Sequence, residues 1–159
     1  MSDLALLAEI QLPTERDTVA LGAALARLAR PGDILALNGP LGAGKTTLAR
    51  GFVTALTQAD EDVVSPTFTL VQVYDAGVAP IWHFDLYRLT QVEDVLELGW
   101  DEALGGGISL VEWPERLGAL LPRNRLDVML SSGTEHQARS ARLHGGASWK
   151  DRIAGMKHV

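Results

Sequence analysis

The sequence predicts an α/β fold: a central mixed sheet with a parallel core and antiparallel hairpins, flanked by helices. Three observations predict it. A brief continuous apolar run, Ile34 to Leu37, has the pattern of a strand buried on both faces. A tight glycine-bearing loop, Gly39 to Gly44, follows it directly and leads into the helical stretch Lys45 to Leu56. Two pairs of extended segments sit around turn-forming residues, which is how hairpins read in sequence.

Taken in order, Leu7 to Leu12 is a short strand ended by Pro13. Thr14 caps the next helix, with Asp17 three residues on in a capping-box arrangement. Val19, Leu21, Ala24, Leu25 and Leu28 give that helix its apolar face, and Pro31-Gly32 stops it. Beyond the glycine loop and its helix, Phe68 to Tyr74 and Ile81 to Leu86 pair as a hairpin across Asp75-Ala76-Gly77. Thr90 begins a further helix with Glu93 at the third position of a capping box. Ile108 to Val111 is the next apolar strand, and Pro114 suits the first turn of a short helix after it. Leu126 to Leu130 and Ala138 to Leu143 form a second hairpin across Gly133. There is no internal repeat, low-complexity tract or linker, so residues 1–159 read as a single domain, with the tail from Trp149 unassigned.

Composition narrows the function classes. With 159 residues, 47% of them hydrophobic and 21% charged, the chain suits one ordinary soluble domain. It has no cysteine, which removes disulfides and thiolate metal sites and suits a reducing cytoplasm. Met1 to Gln11 lacks the basic start of a secretory signal, and no apolar run approaches the roughly 20 residues that span a bilayer. A net charge of −6 is the wrong sign for a protein whose main task is gripping DNA or RNA. The charge is uneven, however. From Arg123 to Val159, seven basic residues (Arg123, Arg125, Arg139, Arg142, Lys150, Arg152 and Lys157) face three acidic ones. This is a solvated basic face or an RNA-facing patch, with the first favoured.

Gly39-Pro40-Leu41-Gly42-Ala43-Gly44-Lys45-Thr46 satisfies G-x-x-x-x-G-K-[ST] at every fixed position, in the strand–loop–helix setting that the motif requires. The fold is therefore P-loop NTPase-like and the expected ligand is a nucleoside triphosphate, taken as ATP, with the sequence giving no preference between ATP and GTP. Backbone N–H groups of the loop form an anion nest, and the following helix presents its positive end there. Gly42, Ala43, Gly44, Lys45, Thr46 and Thr47 are the expected phosphate contacts. Lys45 reaches the β- and γ-phosphates, and the Thr46 hydroxyl is a ligand for Mg²⁺. Lys45 is the only lysine before residue 150 in a chain that otherwise uses arginine.

Such a site needs an acid at a nearby strand end. Glu112 closes Ile108-Ser109-Leu110-Val111 and is assigned to the metal, directly or through water. Asp85, in His83-Phe84-Asp85, shares a strand face with His83, while Trp82, Phe84 and Leu86 point the other way. Asp85 orients the attacking water or makes a contact behind the metal ligands; read as scaffold, it is a salt-bridge partner for Arg88. Ser65 and Thr67 flank Pro66 just before a strand, either as a γ-phosphate-sensing switch or as a rigid turn. Trp113 is a core anchor or an exposed platform for a partner.

With these residues placed, the chain resembles the bacterial TsaE family of tRNA threonylcarbamoyladenosine biosynthesis proteins. The matching pieces are Leu37-Asn38-Gly39 through Thr47, Ser65-Pro66-Thr67-Phe68-Thr69-Leu70, His83-Phe84-Asp85-Leu86-Tyr87-Arg88-Leu89 and Val111-Glu112-Trp113-Pro114-Glu115. The resemblance implies an ATPase subunit that works with two protein partners, TsaB and TsaD. That assembly places a threonylcarbamoyl group on N6 of adenosine 37 in tRNAs reading codons that begin with A. TsaD carries the transfer chemistry, and tRNA is met only through the complex. By resemblance, Thr46 and Glu112 are the Mg²⁺ ligands and Asp85 and Trp113 an activity-linked pair. Glu15, in Leu12-Pro13-Thr14-Glu15, approaches the adenine, and Ala138 is a further contact of that kind. Pro40 departs from the family, which often carries an acidic residue there. The rivals are a P-loop small-molecule kinase, which would need an acceptor pocket and an Arg-rich lid, and a nucleotide switch that binds without hydrolysing.

Overall fold

The computed structural model describes residues 4–58, 66, 69–133 and 138–156. Ser65, Thr67 and Phe68 of the expected switch segment lie outside them. Seven strands form one sheet: β1 (Ala5–Leu12), β2 (Ile34–Asn38), β3 (Val71–Asp75), β4 (Pro80–Asp85), β5 (Ile108–Glu112), β6 (Leu126–Ser132) and β7 (Arg139–Gly145). Their order is β1-β7-β6-β2-β5-β4-β3. The inner strands β6, β2, β5 and β4 are mutually parallel. Antiparallel β7 and β1 complete one edge and β3 the other. The sheet is mixed, with a parallel core and two hairpins, as the sequence predicts.

Helices cover both faces. α1 (Glu15–Leu28), α2 (Lys45–Thr57) and α4 (Ala147–Ala154) pack on one side. Leu35 and Leu37 of β2, Ile81 of β4 and Leu110 of β5 are buried there with Leu21, Leu25, Leu48 and Phe52. On the other side, Ile34, Phe84 and Val111 meet Val95, Trp100 and Leu117 from α3 (Trp100–Leu104) and two 3-10 segments, Val92–Leu98 and Pro114–Leu120. Burying such a side chain contributes about 1.5–3 kcal/mol, so alternate residues of the inner strands anchor opposite layers. Among the described residues, no helix is long and apolar enough to cross a membrane.

Local signals account for most boundaries. Thr14 caps α1 with both halves of the capping box in place: Asp17 N–H donates to Thr14 Oγ1 and Thr14 N–H to the Asp17 carboxylate. α1 ends at Leu28, and Pro114 opens its short helix as expected. Two expectations need correction. Thr90 does not cap a helix; the segment begins at Val92 as 3-10, preceded by Gln91 with no side-chain cap. Phe68 lies outside the described residues; from Thr69 on, the expected extended run becomes a strand only at Val71, because Leu70 has φ 68° and breaks the extended backbone.

The tail from Trp149 belongs to α4. Trp149 is buried, the Arg152 guanidinium lies 3.7 Å from its ring centroid, and Arg152 pairs with Asp33 at 2.7 Å. α1 and α2 cross closely through glycine. A Cβ at Gly22 would fall 2.1 Å from the Leu48 carbonyl oxygen, and one at Gly51 would fall 2.2 Å from the Val19 oxygen.

Candidate active site

The parallel strands all point their C-terminal ends the same way, and the glycine loop leaves β2 at that end. In register, Leu37 lies beside Glu112 of β5, and Glu112 beside Asp85 of β4. Three segments far apart in sequence therefore bring their chemistry to one sheet edge, the usual place for a ligand in such sheets. A cavity of about 290 Å³ opens there, lined by Leu41, Gly42, Gly44, Lys45, Thr46, Asp85, Tyr87, Glu112 and Trp113.

The loop is shaped by its glycines. Gly42 (φ 79°) and Gly44 (φ 100°) sit in the left-handed region, where a side chain is strained. Ala43 N–H closes a turn onto the Pro40 carbonyl at 3.1 Å, so the departure at Pro40 leaves the loop's closure intact. The first bond of α2 runs from Leu48 N–H to Gly44 O, and Gly44 provides no side-chain cap. The N–H groups of Lys45, Thr46 and Thr47 thus lack helical partners, as at any helix start, and form an anion-binding end.

Lys45 is buried. Its Nζ donates to Gly39 O at 2.5 Å and lies 3.4 Å from the Trp113 ring centroid. Desolvation lowers its pKa from the usual lysine value, against the opposing pull of Glu112, Glu115 and Asp85. The Trp113 ring also meets Tyr87, with centroids 4.9 Å apart. Trp113 is half-buried: it packs against the core of the sheet's second face and walls the cavity, with its backbone left-handed at φ 61°.

Glu112 is buried and meets two donors: the Thr46 hydroxyl 3.2 Å from Oε2, and His83 Nε2 2.7 Å from the same oxygen. Asp85 is also buried, and its Oδ1 accepts the Tyr87 N–H at 3.1 Å. A hydroxyl and a carboxylate in contact at the anion-binding end fit Mg²⁺, which takes one or two protein ligands beside phosphates and waters. Among the described residues there is no cluster of three acids or histidines that would suit a metal caged by protein alone.

The nucleotide has a matching test. Arg139, at the start of β7, donates to Gly42 O and to Ala138 O, each at 2.8 Å. Its Nε is a buried donor without a partner among the described residues, as is the Thr18 hydroxyl. A Cβ at Gly44 would lie 3.6 Å from both Arg139 Nε and Thr18 Cγ2. Orphaned polar groups beside the loop are what a nucleotide would satisfy.

Of the residues expected from sequence, Gly42, Gly44, Lys45, Thr46, Asp85, Glu112 and Trp113 line one cavity. Ala43 is buried behind it, and Thr47 lies in the first turn of α2 without lining it. Glu15 and Ala138 are not lining residues. Glu15 is exposed and pairs with Arg50 of α2 at 2.9 Å; Ala138 O accepts from Gly133 N–H and Arg139. Sequence reasoning missed Arg139, next to Ala138, and the contact of His83 with Glu112. Arg139 has no motif of its own, whereas His83 stands in the matching His83 to Leu89 segment and could have been found there.

Three basic residues of the C-terminal stretch meet acids. Arg125 pairs with Asp127, Arg142 approaches Glu9 at 3.8 Å, and Arg152 pairs with Asp33. Two of these acids, Glu9 and Asp33, come from the N-terminal part of the chain.

The family model for the threonylcarbamoyl adenosine biosynthesis protein TsaE matches residues 12–141. A Rickettsia conorii protein named tRNA threonylcarbamoyladenosine biosynthesis protein TsaE is 41% identical over 121 residues, covering 76% of this chain and 69% of the relative. Its Bacillus subtilis namesake is 42% identical over 115 residues, covering 72% and 71%. The crystal structure of Bacillus subtilis YdiB superposes with a TM-score of 0.78 at 30% identity, covering 95% of this chain and 93% of that one.

Proposed function

The chain belongs to the TsaE family of threonylcarbamoyl adenosine biosynthesis proteins, and on that premise we propose that it is a Mg²⁺-dependent ATPase subunit. Its hydrolysis drives turnover of the assembly that transfers threonylcarbamoyl to tRNA adenosine, with TsaB and TsaD as partners in the cytoplasm. The observation that carries this reading is the meeting of Lys45 and Thr46 with Glu112 and Asp85 in one cavity at the sheet's C-terminal edge.

Each residue then has a task. The N–H groups of Lys45, Thr46 and Thr47 hold the phosphates, and the Lys45 ammonium exchanges Gly39 O for phosphate oxygen. Thr46 and Glu112 hold Mg²⁺, which when bound neutralises charge developing on the phosphoryl group. Asp85, beside Glu112 on the neighbouring strand, orients the attacking water. Tyr87 and Trp113 wall the cavity and limit other water. Arg139 ties the loop to β7 and offers Nε to the nucleotide.

The test is reconstitution with TsaB, TsaD, tRNA, ATP and a threonylcarbamoyl donor. Repeated rounds of modified adenosine should require this protein, and Lys45→Ala, correctly folded by circular dichroism, should not support them. Release of phosphate without any acceptor separates an ATPase from a kinase. Full modification by Lys45→Ala would refute the proposal.

A further inference from the structure

His83 is wholly buried, yet the reading above gives it no task. We propose that His83 is a positioning residue for the metal, holding the Glu112 carboxylate through Nε2–H at the angle needed to share a divalent cation with Thr46. The inference rests on Glu112 being a metal ligand.

The contact is short, 2.7 Å from His83 Nε2 to Glu112 Oε2, in the range of charge-assisted hydrogen bonds. A carboxylate acceptor calls for a ring proton on Nε2. Nδ1 is buried without a partner among the described residues. An apolar side chain would fill this position beside Ile81 without leaving a polar atom unsatisfied, so packing alone does not explain an imidazole here.

The second donor to Glu112 explains why the first is needed. Thr46 Oγ1 reaches the same carboxylate at 3.2 Å, and as a metal ligand it turns a lone pair toward the cation while its O–H still donates. A single O–H bond leaves the carboxylate free to turn about it. His83 comes from the sheet side, on β4, and keeps its grip throughout. Carboxylates that ligate metals are commonly fixed by such outer hydrogen bonds, and losing one typically costs about 10–100-fold in metal affinity or activity.

The experiment measures Mn²⁺ binding by electron paramagnetic resonance, with a non-hydrolysable ATP analogue present. Analogue affinity in EDTA and thermal melting are recorded beside it. His83→Leu should bind Mn²⁺ about tenfold more weakly while metal-free analogue affinity stays at the wild-type value. His83→Gln, whose amide N–H reaches the Nε2 position, should recover most of the loss, and the shorter His83→Asn should not. The Gln and Asn pair decides the question if the Leu variant does not fold. Wild-type Mn²⁺ affinity in His83→Leu, or equal weakness in folded Gln and Asn variants, overturns the proposal. Glu112→Gln separates the premise: if it leaves Mn²⁺ binding intact, Glu112 is not the ligand and both readings fall. If Glu112→Gln weakens binding and His83→Leu does not, the positioning role alone falls.

Discussion

Gly22→Ala opposes two physical expectations. Gly22 lies inside α1, where replacing glycine by alanine ordinarily stabilises a helix by about 1 kcal/mol. The structure requires the opposite sign. The added Cβ would stand 2.1 Å from Leu48 O and 2.9 Å from Phe52 N, both backbone atoms of α2. Neither can swing aside like a side-chain tip, so the helices must part by roughly 1 Å to reach ordinary contact. Overpacking of this kind costs about 1–3 kcal/mol, which outweighs the propensity gain or at least cancels it.

The consequence reaches the cavity although Gly22 does not line it. Leu48 N–H makes the first hydrogen bond of α2 with Gly44, so moving Leu48 moves the turn that carries Lys45 and Thr46. Misplacement near 1 Å can lower catalysis on the order of 100-fold. A net loss of up to about 2 kcal/mol corresponds to a fall in Tm of up to roughly 8 °C for a chain of this length. Thermal melting of the nucleotide-free protein and steady-state phosphate release test both parts. A Tm above wild type with unchanged hydrolysis would refute the close-crossing argument.

Three further outcomes follow from the site. Glu112→Gln should cut Mg²⁺-dependent hydrolysis by about 100-fold or more while metal-free nucleotide affinity, measured in EDTA, changes little, because the loop N–H groups remain. Hydrolysis by the wild type should rise with TsaB and TsaD, and Trp113→Ala should blunt that rise more than the basal rate; equal loss in both would confine Trp113 to the nucleotide site. Lys45→Met should stabilise the nucleotide-free protein near neutral pH, because burial makes the folded state disfavour the ammonium. Below the lowered folded pKa both states carry the proton and the cost is full. As pH rises toward 10.5 the folded state loses the proton first, so denaturant titrations should show the gap between variant and wild type closing.

Much of the fold was legible because local chemistry decided it. The Thr14–Asp17 capping box, the apolar run of β2 and the glycine loop each signal their own element. What failed was decided by tertiary contact or a single backbone angle. Thr90 and Glu93 have capping-box spacing, yet the chain there forms 3-10 turns over the sheet's second face. The β3 boundary depends on the left-handed backbone of Leu70. Gly22 and Gly51 lie inside helices, and the α1–α2 crossing explains them.

The cavity was legible through side chains whose type is unusual where they stand, namely the lysine of the loop and two acids ending apolar strands. Strand order then supplied what spacing could not: β2, β5 and β4 are neighbours, so three separate segments meet. Trp113 shows why contacts must be weighed as well as placed. A bulky residue with left-handed backbone costs about 1–3 kcal/mol and persists only where its surroundings over-determine it. Here the ring rests between Tyr87 and the Lys45 ammonium, and a cation–π contact contributes about 0.5–2 kcal/mol, a term of the same size. The conformation at position 113 is therefore tied to where Lys45 places its charge. Phosphate competes for that same charge, which is the physical reason to seek the partner-dependent effect at Trp113.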